Sequence, residues 1–488
     1  MKNRHLFVNL YIIPTFHLKF NAFLFIYIYL TKRKRQKIAV VIDYWAVNWY
    51  NILVLHEQKG DCMIITRKKL LPGVTLHHIG TDKFKIASVS ISLLTQLTRE
   101  KAAMNALIPN VLCRGSAAYD DMDKLNERCD ELYGAAVTPQ VRRIGEIQTV
   151  GLTITFPEAA FLPDKENVTQ EAISLLSEIL LEPSTRGGLL REDYVNSERD
   201  KMAEAIRSRV NNKGQYALIR CIEEMCCFED YAVTRLGRLE ECREIRYRKL
   251  TRQYQELLST SPVEIFYFGR ETPERVAEWL RASLSTMPRG EIEYDIGTDV
   301  RMNSVEEDVR NVTEEMDVSQ ARLVMGFRLG EIMEDPDRPV LSVFNAIFGN
   351  GVTSRLFVQV REKMQLCYSI GSAVDGYKGL LLASAGIDAD RAEDVRSEIM
   401  HQLQEIRDGN ITDEELAYAK AGIESDLISM LDSAPSLETF FTNNLVDGSD
   451  YTPESFAERV NDVTKDEVAA VAQSVVPDLV YLLRGEAE

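Results

Sequence analysis

Apolar and polar positions alternate in four runs along the first part of the chain: Thr75 to Ile79, Phe84 to Leu94 with Ile86, Val89 and Ile91 in step, Thr138 to Arg143, and Ile147 to Thr155. A period of two predicts strands of a half-buried sheet, the last two forming a hairpin. Between the second and third runs the period lengthens. Thr98 is placed to cap a helix through Ala102, Ala106 and Leu107 toward Leu112, and Asp120 or Asp121 to cap another that reaches about Tyr133. Helical spacing returns at 167–182, 191–211, 215–227 and 247–259, before a strand, Val263 to Phe268. This first unit ends near Pro288.

An acidic, Gly-containing stretch over 290–318 reads as a linker, and the plan then repeats. A strand Ala321 to Phe327 is followed by helices around Pro339 to Phe348 and Ser354 to Met364. Strands at Tyr368 to Val374 and Gly379 to Ile387, helices near 389–407 and 412–431, and a return strand Leu479 to Leu483 complete it. Asn110 and Tyr133 are 23 residues apart, as are Asn345 and Tyr368, each pair spanning helix, glycine turn and helix. An internal duplication accounts for this register. The expected fold is α+β, two tandem units over 63–289 and 319–488.

Composition separates a further region. The chain of 488 residues carries 57 basic and 75 acidic side chains, a net −18, yet residues 1–62 hold nine Lys and Arg against three acids. The remainder is therefore at −24. Twelve of the 40 aromatic residues also fall in those 62 positions, and a short apolar run, Ala22 to Leu30, precedes the basic run Lys32 to Lys37. That run is shorter than the roughly 20 apolar residues of a spanning helix. The leader reads as a non-native or disordered segment, with initiation at Met63. A membrane anchor held by the basic patch and a cleaved signal are the alternatives.

The acidic balance argues against nucleic acid as a partner, and the mixed run Arg235 to Arg252, with Glu240, Glu241 and Glu244 interspersed, reads as a salt-bridged helix. Gly349-Asn-Gly351 lacks the GK[ST] of a phosphate loop. Eight cysteines fall in no CxxC pair, the pattern of reduced thiols in a cytoplasmic protein.

Several strings resemble the pitrilysin/insulinase family of metallopeptidases. They are Val111-Leu-Cys-Arg-Gly-Ser116, Tyr231-Ala-Val-Thr-Arg-Leu-Gly237, the strand Val263 to Gly269, and above all Gly349-Asn-Gly-Val-Thr-Ser-Arg-Leu-Phe357 through Val360-Arg-Glu-Lys-Met-Gln-Leu-Cys-Tyr368. The likeness covers nearly everything after Met63. It implies two homologous α/β-roll domains of the LuxS-like metallohydrolase type, and in active members a zinc ion held by an inverted HxxEH helix and a distant Glu. Two His at i and i+4 share one helix face and the intervening Glu activates the bound water. Aligned on the glycine turn, those five positions here are Ala106, Leu107, Ile108, Pro109 and Asn110. Ala205 stands at the distant ligand position, seven residues after Glu198.

No catalytic residue, metal ligand or cofactor is therefore expected. Glu198 and Glu204 read as solvated acids, Pro109 as a helix kink, and His77 and His78 as strand neighbours facing opposite ways. What the resemblance retains is Arg361 and Tyr368, matching an Arg and a Tyr that hold substrate peptide in active relatives. Within the family the chain looks most like zinc-less YfmF-type proteins, which occur with a zinc-bearing YfmH-type partner and are associated with 5-aminopentanol modification of elongation factor P. The expected function is an inactive subunit that pairs with an active homologue and binds peptide or protein substrate. A scaffold or chaperone-like binder of a basic client, and a peptidase with an unorthodox zinc site, are the alternatives.

Overall fold

The computed structural model describes residues 65–163 and 168–486 with their side chains, and ahead of them the backbone of strands only. Most of the expected 1–62 leader, with its start-site, anchor and signal readings, lies outside the described residues. Strands β1 (Phe25–Tyr29), β2 (Ile38–Ile42) and β3 (Leu53–Gln58) extend the first sheet antiparallel.

The first half is built from β4 (Asp61–Leu71), β5 (Val74–Gly80), β6 (Ile86–Gln96), α1 (Ala102–Leu112), α2 (Met122–Glu131), β7 (Ala136–Ile144) and β8 (Ile147–Pro157). There follow α3 (Val168–Leu181), a two-rung ladder of β9 (Thr185–Arg186) and β10 (Leu189–Leu190), α4 (Glu192–Arg207), α5 (Lys213–Met225), α6 (Leu239–Arg243), α7 (Tyr247–Thr260), β11 (Val263–Gly269) and α8 (Pro273–Ser283). The second half holds β12 (Arg310–Glu315), β13 (Ala321–Arg328), α9 (Arg338–Phe348), a π-helical segment Leu356–Lys363, β14 (Ser369–Asp375) and β15 (Leu380–Ile387). It closes with α10 (Ala392–Arg407), α11 (Asp413–Met430), α12 (Ala434–Asp447), α13 (Pro453–Asp462), α14 (Lys465–Ser474) and β16 (Val476–Arg484).

Sheet topology displays the duplication. In the first sheet the order β5-β11-β6-β8-β7 has β11 parallel to β5 and antiparallel to β6; in the second, β12-β16-β13-β15-β14 has β16 parallel to β12 and antiparallel to β13. The two orders match strand for strand. In each half the last strand inserts between the first two, so the chain must return across the sheet before either core closes. β12 lies inside the stretch that reads as a linker. Its sequence Arg-Asn-Val-Thr-Glu-Glu is polar because it is an edge with alternate residues exposed, which hides the strand from a hydrophobic pattern.

One face of each sheet carries that half's own helices. Ala87, Val89, Ile91 and Leu93 of β6 point into a core shared with α1, α3, α7 and α8, and Leu323, Met325 and Phe327 of β13 into a core with α9, α10 and α14. The opposite faces are covered by exchange. Helix α5 of the first half packs Ala217, Cys221 and Met225 on Val324, Leu479 and Tyr481 of the second sheet, and α12 of the second half packs Leu437 on Ile79, Phe266 and Phe268 of the first. Hence β6 is buried on both faces rather than half-buried, and its Ser88, Ser90 and Ser92 are buried as well. The alternation of β6 is that of a sheet with one apolar and one small polar face, and only the partner half reveals that the second face is covered. Gly326 on β13 suits the close approach of α5: a Cβ there would lie 2.6 Å from Met225 Sδ.

The halves are also joined by buried charge. Arg328 on β13, fully buried, donates from Nε to Asp478 of β16 (2.9 Å) and from its Nη atoms to both oxygens of Glu229 (2.7 and 3.2 Å), which follows α5. Lys378, also fully buried, in the β14–β15 turn, meets Glu229 and Glu146 at 2.6 Å each, and Arg310 meets Asp478 at 3.0 Å. Glu146 is delivered by the β7–β8 turn, where Gly145 takes φ +53° and a Cβ would collide with Thr298. Burial pushes the Glu229 carboxyl upward, but hydrogen bonds from Arg328 and Lys378 outweigh it and hold its pKa below the ordinary 4.5.

Two outcomes follow. Arg328→Ala, which strands Glu229 and Asp478 away from water, lowers unfolding free energy by about 3–5 kcal/mol in urea titrations. Because the folded pKa of Glu229 lies below its unfolded value, its stabilising contribution is complete above about pH 4.5 and is lost as pH falls through the folded value. Glu229→Gln, compared with wild type across that acid range, therefore shows a shallower fall in stability with pH.

Candidate functional site

Helix α1 carries the five positions of interest. Ala106, Leu107, Ile108 and Pro109 are buried within the first core, and Asn110 is the member at the surface, its Nδ2 donating to the Ala106 carbonyl at 3.1 Å. The helix continues through Pro109 to Leu112. Helix α4 lies against α1 and brings Glu198, Lys201 and Ala205 to the same cleft, with Pro139 of edge strand β7 and Arg235 completing it; the volume is about 300 Å³. Thus Asn110, Glu198 and Ala205, related by the motif alignment alone, meet in space.

Their chemistry does not suit zinc. Glu198, expected as a solvated acid, is buried, and it pairs with Arg114 at 3.3 Å and Lys201 at 2.8 Å because its side of α4 faces the turn after α1. Glu204 is exposed and pairs with Arg207. Among the described residues no three His, Cys, Asp or Glu side chains are grouped to hold a metal ion. His77 hydrogen-bonds Glu264 at 2.6 Å and stacks on Phe266, while His78 meets the Glu271 carbonyl at 2.7 Å and stacks on Tyr267. The two rings are used in packing, and burial lowers the His78 pKa. The half-buried Cys113, near the same helix end, has its thiol pushed up to about 12 by burial and then by Glu198, so it is a poor thiolate donor.

A second cleft, of about 450 Å³, lies in the other half and is lined by Arg361, Gln365, Cys367, Tyr368, Asp388 and Arg391. It is built on the π-helical segment, where the Leu366 N–H reaches back to the Val360 carbonyl and Gln365 turns the chain at φ +55°. Such widened turns recur at functional sites. Arg355 fixes the start of the segment through two hydrogen bonds to Glu415 of α11, at 2.7 and 2.9 Å. Arg361 Nε donates to the Tyr368 carbonyl at 3.1 Å, and its guanidinium lies 4.6 Å from the Phe357 ring centroid. The Tyr368 hydroxyl donates to Asp388 at 2.9 Å, which raises its pKa, and the residue is 59 % exposed. Arg361 and Tyr368 therefore share one cleft, and that cleft has no lining residue in common with the one around Asn110. Sequence reasoning missed Asp388, which lies 20 residues beyond Tyr368 without a local signal, and Lys201 and Arg235, whose helical surroundings read as solvated charge.

The comparisons with known proteins agree with this geometry. Residues 244–423 match the family model described as the Peptidase M16 inactive domain. The chain is 28% identical over 415 residues to "Probable inactive metalloprotease YmfF" of Bacillus subtilis (strain 168), covering 85% of this chain and 96% of the relative. An uncharacterized zinc protease of Streptomyces coelicolor is 24% identical over 300 residues, 59% of this chain and 64% of that protein. Among solved structures, a conserved protein from Enterococcus faecalis V583 superposes with TM-score 0.79 at 28% identity, over 87% of this chain and 99% of the other. A protease from Helicobacter pylori, at 15% identity and TM-score 0.69 over 86% and 99%, shares the fold.

Over most of its length the chain is similar to M16, pitrilysin/insulinase-like, peptidases. By that likeness the chain is an inactive M16 metalloprotease homologue. Purified from cells grown with zinc and dialysed against buffer without chelator, the protein is expected to hold well under about one zinc per chain by plasma mass spectrometry, the stoichiometry of an intact site.

Proposed function

We propose that this chain is the non-catalytic subunit of a two-subunit peptidase, pairing with a zinc-bearing homologue and contributing contacts to its peptide or protein substrate. The observation that carries the reading is the contrast between the clefts. One has lost every zinc ligand, while the other retains Arg361 and Tyr368 on an anchored π-helical segment, with the Tyr368 ring exposed. A guanidinium and a phenol at that spacing supply a planar donor and a hydroxyl for peptide carbonyls. In the free chain both are satisfied internally, by the Tyr368 carbonyl and Asp388, so a peptide would exchange these bonds for its own. The resemblance to YfmF-type proteins extends the proposal to a YfmH-type partner and to elongation factor P modification. The unbridged cysteines described fit a cytoplasmic location.

A purely scaffolding role toward a basic client draws support from the net −24 of the chain after residue 62. Reconstitution separates the two. With the zinc-bearing homologue of the same host, Arg361→Ala combined with Tyr368→Phe lowers peptide turnover by about tenfold while co-elution of the two subunits is retained. Turnover equal to wild type would favour the scaffold, and failure of every zinc-bearing homologue of the host to co-purify would remove the pairing.

A further inference from the structure

The cleft around Asn110 has become cationic. Glu198 is its one carboxylate, and it is shared by Arg114 and Lys201. Arg235, exposed at the rim, donates to the Val141 carbonyl at 3.1 Å and has no carboxylate within 4 Å among the described residues. Beside it Arg209 donates to Thr234 at 2.9 Å, and the carboxylate that Arg209 senses, Glu223, is held by Arg220 at 2.7 Å. Burial, and then the neighbouring Arg235 charge, lower the pKa of Arg209. Arg114 Nε is buried without a hydrogen-bond partner. Lys201 and Arg235 line the cleft against the one carboxylate Glu198, with Arg114 bonded to that carboxylate from behind, so the cleft is locally positive in a chain of net −18. Edge strand β7 forms one wall through Pro139 and Val141, and Pro139 removes a backbone donor there, so side-chain charge has to supply the attraction that a full strand edge would otherwise give.

We propose that this cleft, at the position of the family's metal site, is a receptor for carboxylates of an acidic peptide segment, with Lys201 and Arg235 as the recognising cations. The Arg235 guanidinium, without a competing carboxylate, selects an incoming carboxylate, Lys201 is shared between Glu198 and that group, and a local positive field in an otherwise acidic protein directs an acidic chain to this cleft. The site needs no metal and does not depend on pairing with a second subunit, so its test uses the chain alone.

The probe is a fluorescein-labelled hexaglutamate peptide, with hexaglutamine and hexalysine of the same length as controls, followed by anisotropy against the full chain. Expected is saturable binding of hexaglutamate, absent for the controls. Raising salt from about 0.05 to 0.3 M weakens it. The double variant Lys201→Glu with Arg235→Glu weakens binding by at least about tenfold and Arg235→Gln by less, whereas Lys249→Glu, on an exposed position of α7, leaves it unchanged. Thermal melts confirm that each variant is folded. Equal binding of hexaglutamate and hexaglutamine, equal binding by wild type and the folded double variant, or Arg235-dependent binding of inorganic phosphate with none of hexaglutamate would each overturn the proposal.

Discussion

Three cations and three carboxylates, Arg310, Arg328 and Lys378 with Glu146, Glu229 and Asp478, sit where the two halves meet, and the arrangement of everything else respects them. Removing each such ion from water costs several kcal/mol, so the set is tolerable only when every charge finds its partner at hydrogen-bonding distance. Glu229 shows which effect wins: burial alone would raise its pKa, yet the net shift is downward. Glu229 and Glu146 come from the first half and Arg328, Lys378 and Asp478 from the second. Either half folded alone would therefore bury or expose unbalanced charge. The network makes the interface specific in a way that apolar area, which tolerates sliding, does not.

The exchanged helices carry the same logic in apolar terms. Helix α5 leaves its own half to cover the second sheet, and α12 does the reverse. Glu438 on α12 is buried 3.2 Å from Arg142 of β7, and burial, set against that arginine, still raises its pKa. Each sheet thus has two covered faces but supplies helices for only one, which ties the duplication to the interface: two copies with complementary exposed faces close on one another.

That duplication was legible in the sequence because its signals are local. Alternation in Ile147 to Thr155, the Asp121 cap before α2, and the 23-residue register are all readable within a window of one element, whereas the cap expected from Thr98 is not made: α1 starts after Lys101 without a side-chain cap, and the Thr98 hydroxyl has no partner. What escaped were features decided by distant residues. Edge strand β12 has a polar sequence because one side pairs and the other meets solvent. The serine face of β6 reads as exposed until α12 is laid on it. Apolar spacing predicts no element between α11 and β16, although Thr452 and Thr464 cap α13 and α14 by the rule that places α2. The candidate site divides in the same way. Arg361 and Tyr368 lie seven residues apart and could be seen together, whereas Asp388 and the Glu198–Arg114 pair join segments 20 and 84 residues apart.

Glu198 gives the loss of zinc a physical form. A bound dication would offset the carboxylates around it, and when the ligands become Ala106, Asn110 and Ala205 a remaining buried acid is left with its charge uncompensated. Here Arg114 and Lys201 provide that compensation with two single charges from the turn after α1 and the next turn of α4. Side-chain cations differ from a metal in that they have no open coordination position and cannot activate water. They hold the carboxylate in place and orient donors. The substitution therefore removes hydrolytic chemistry while keeping the Glu198 carboxylate compensated. Arg235, lying beyond that balance, leaves the excess charge that an incoming anion would meet.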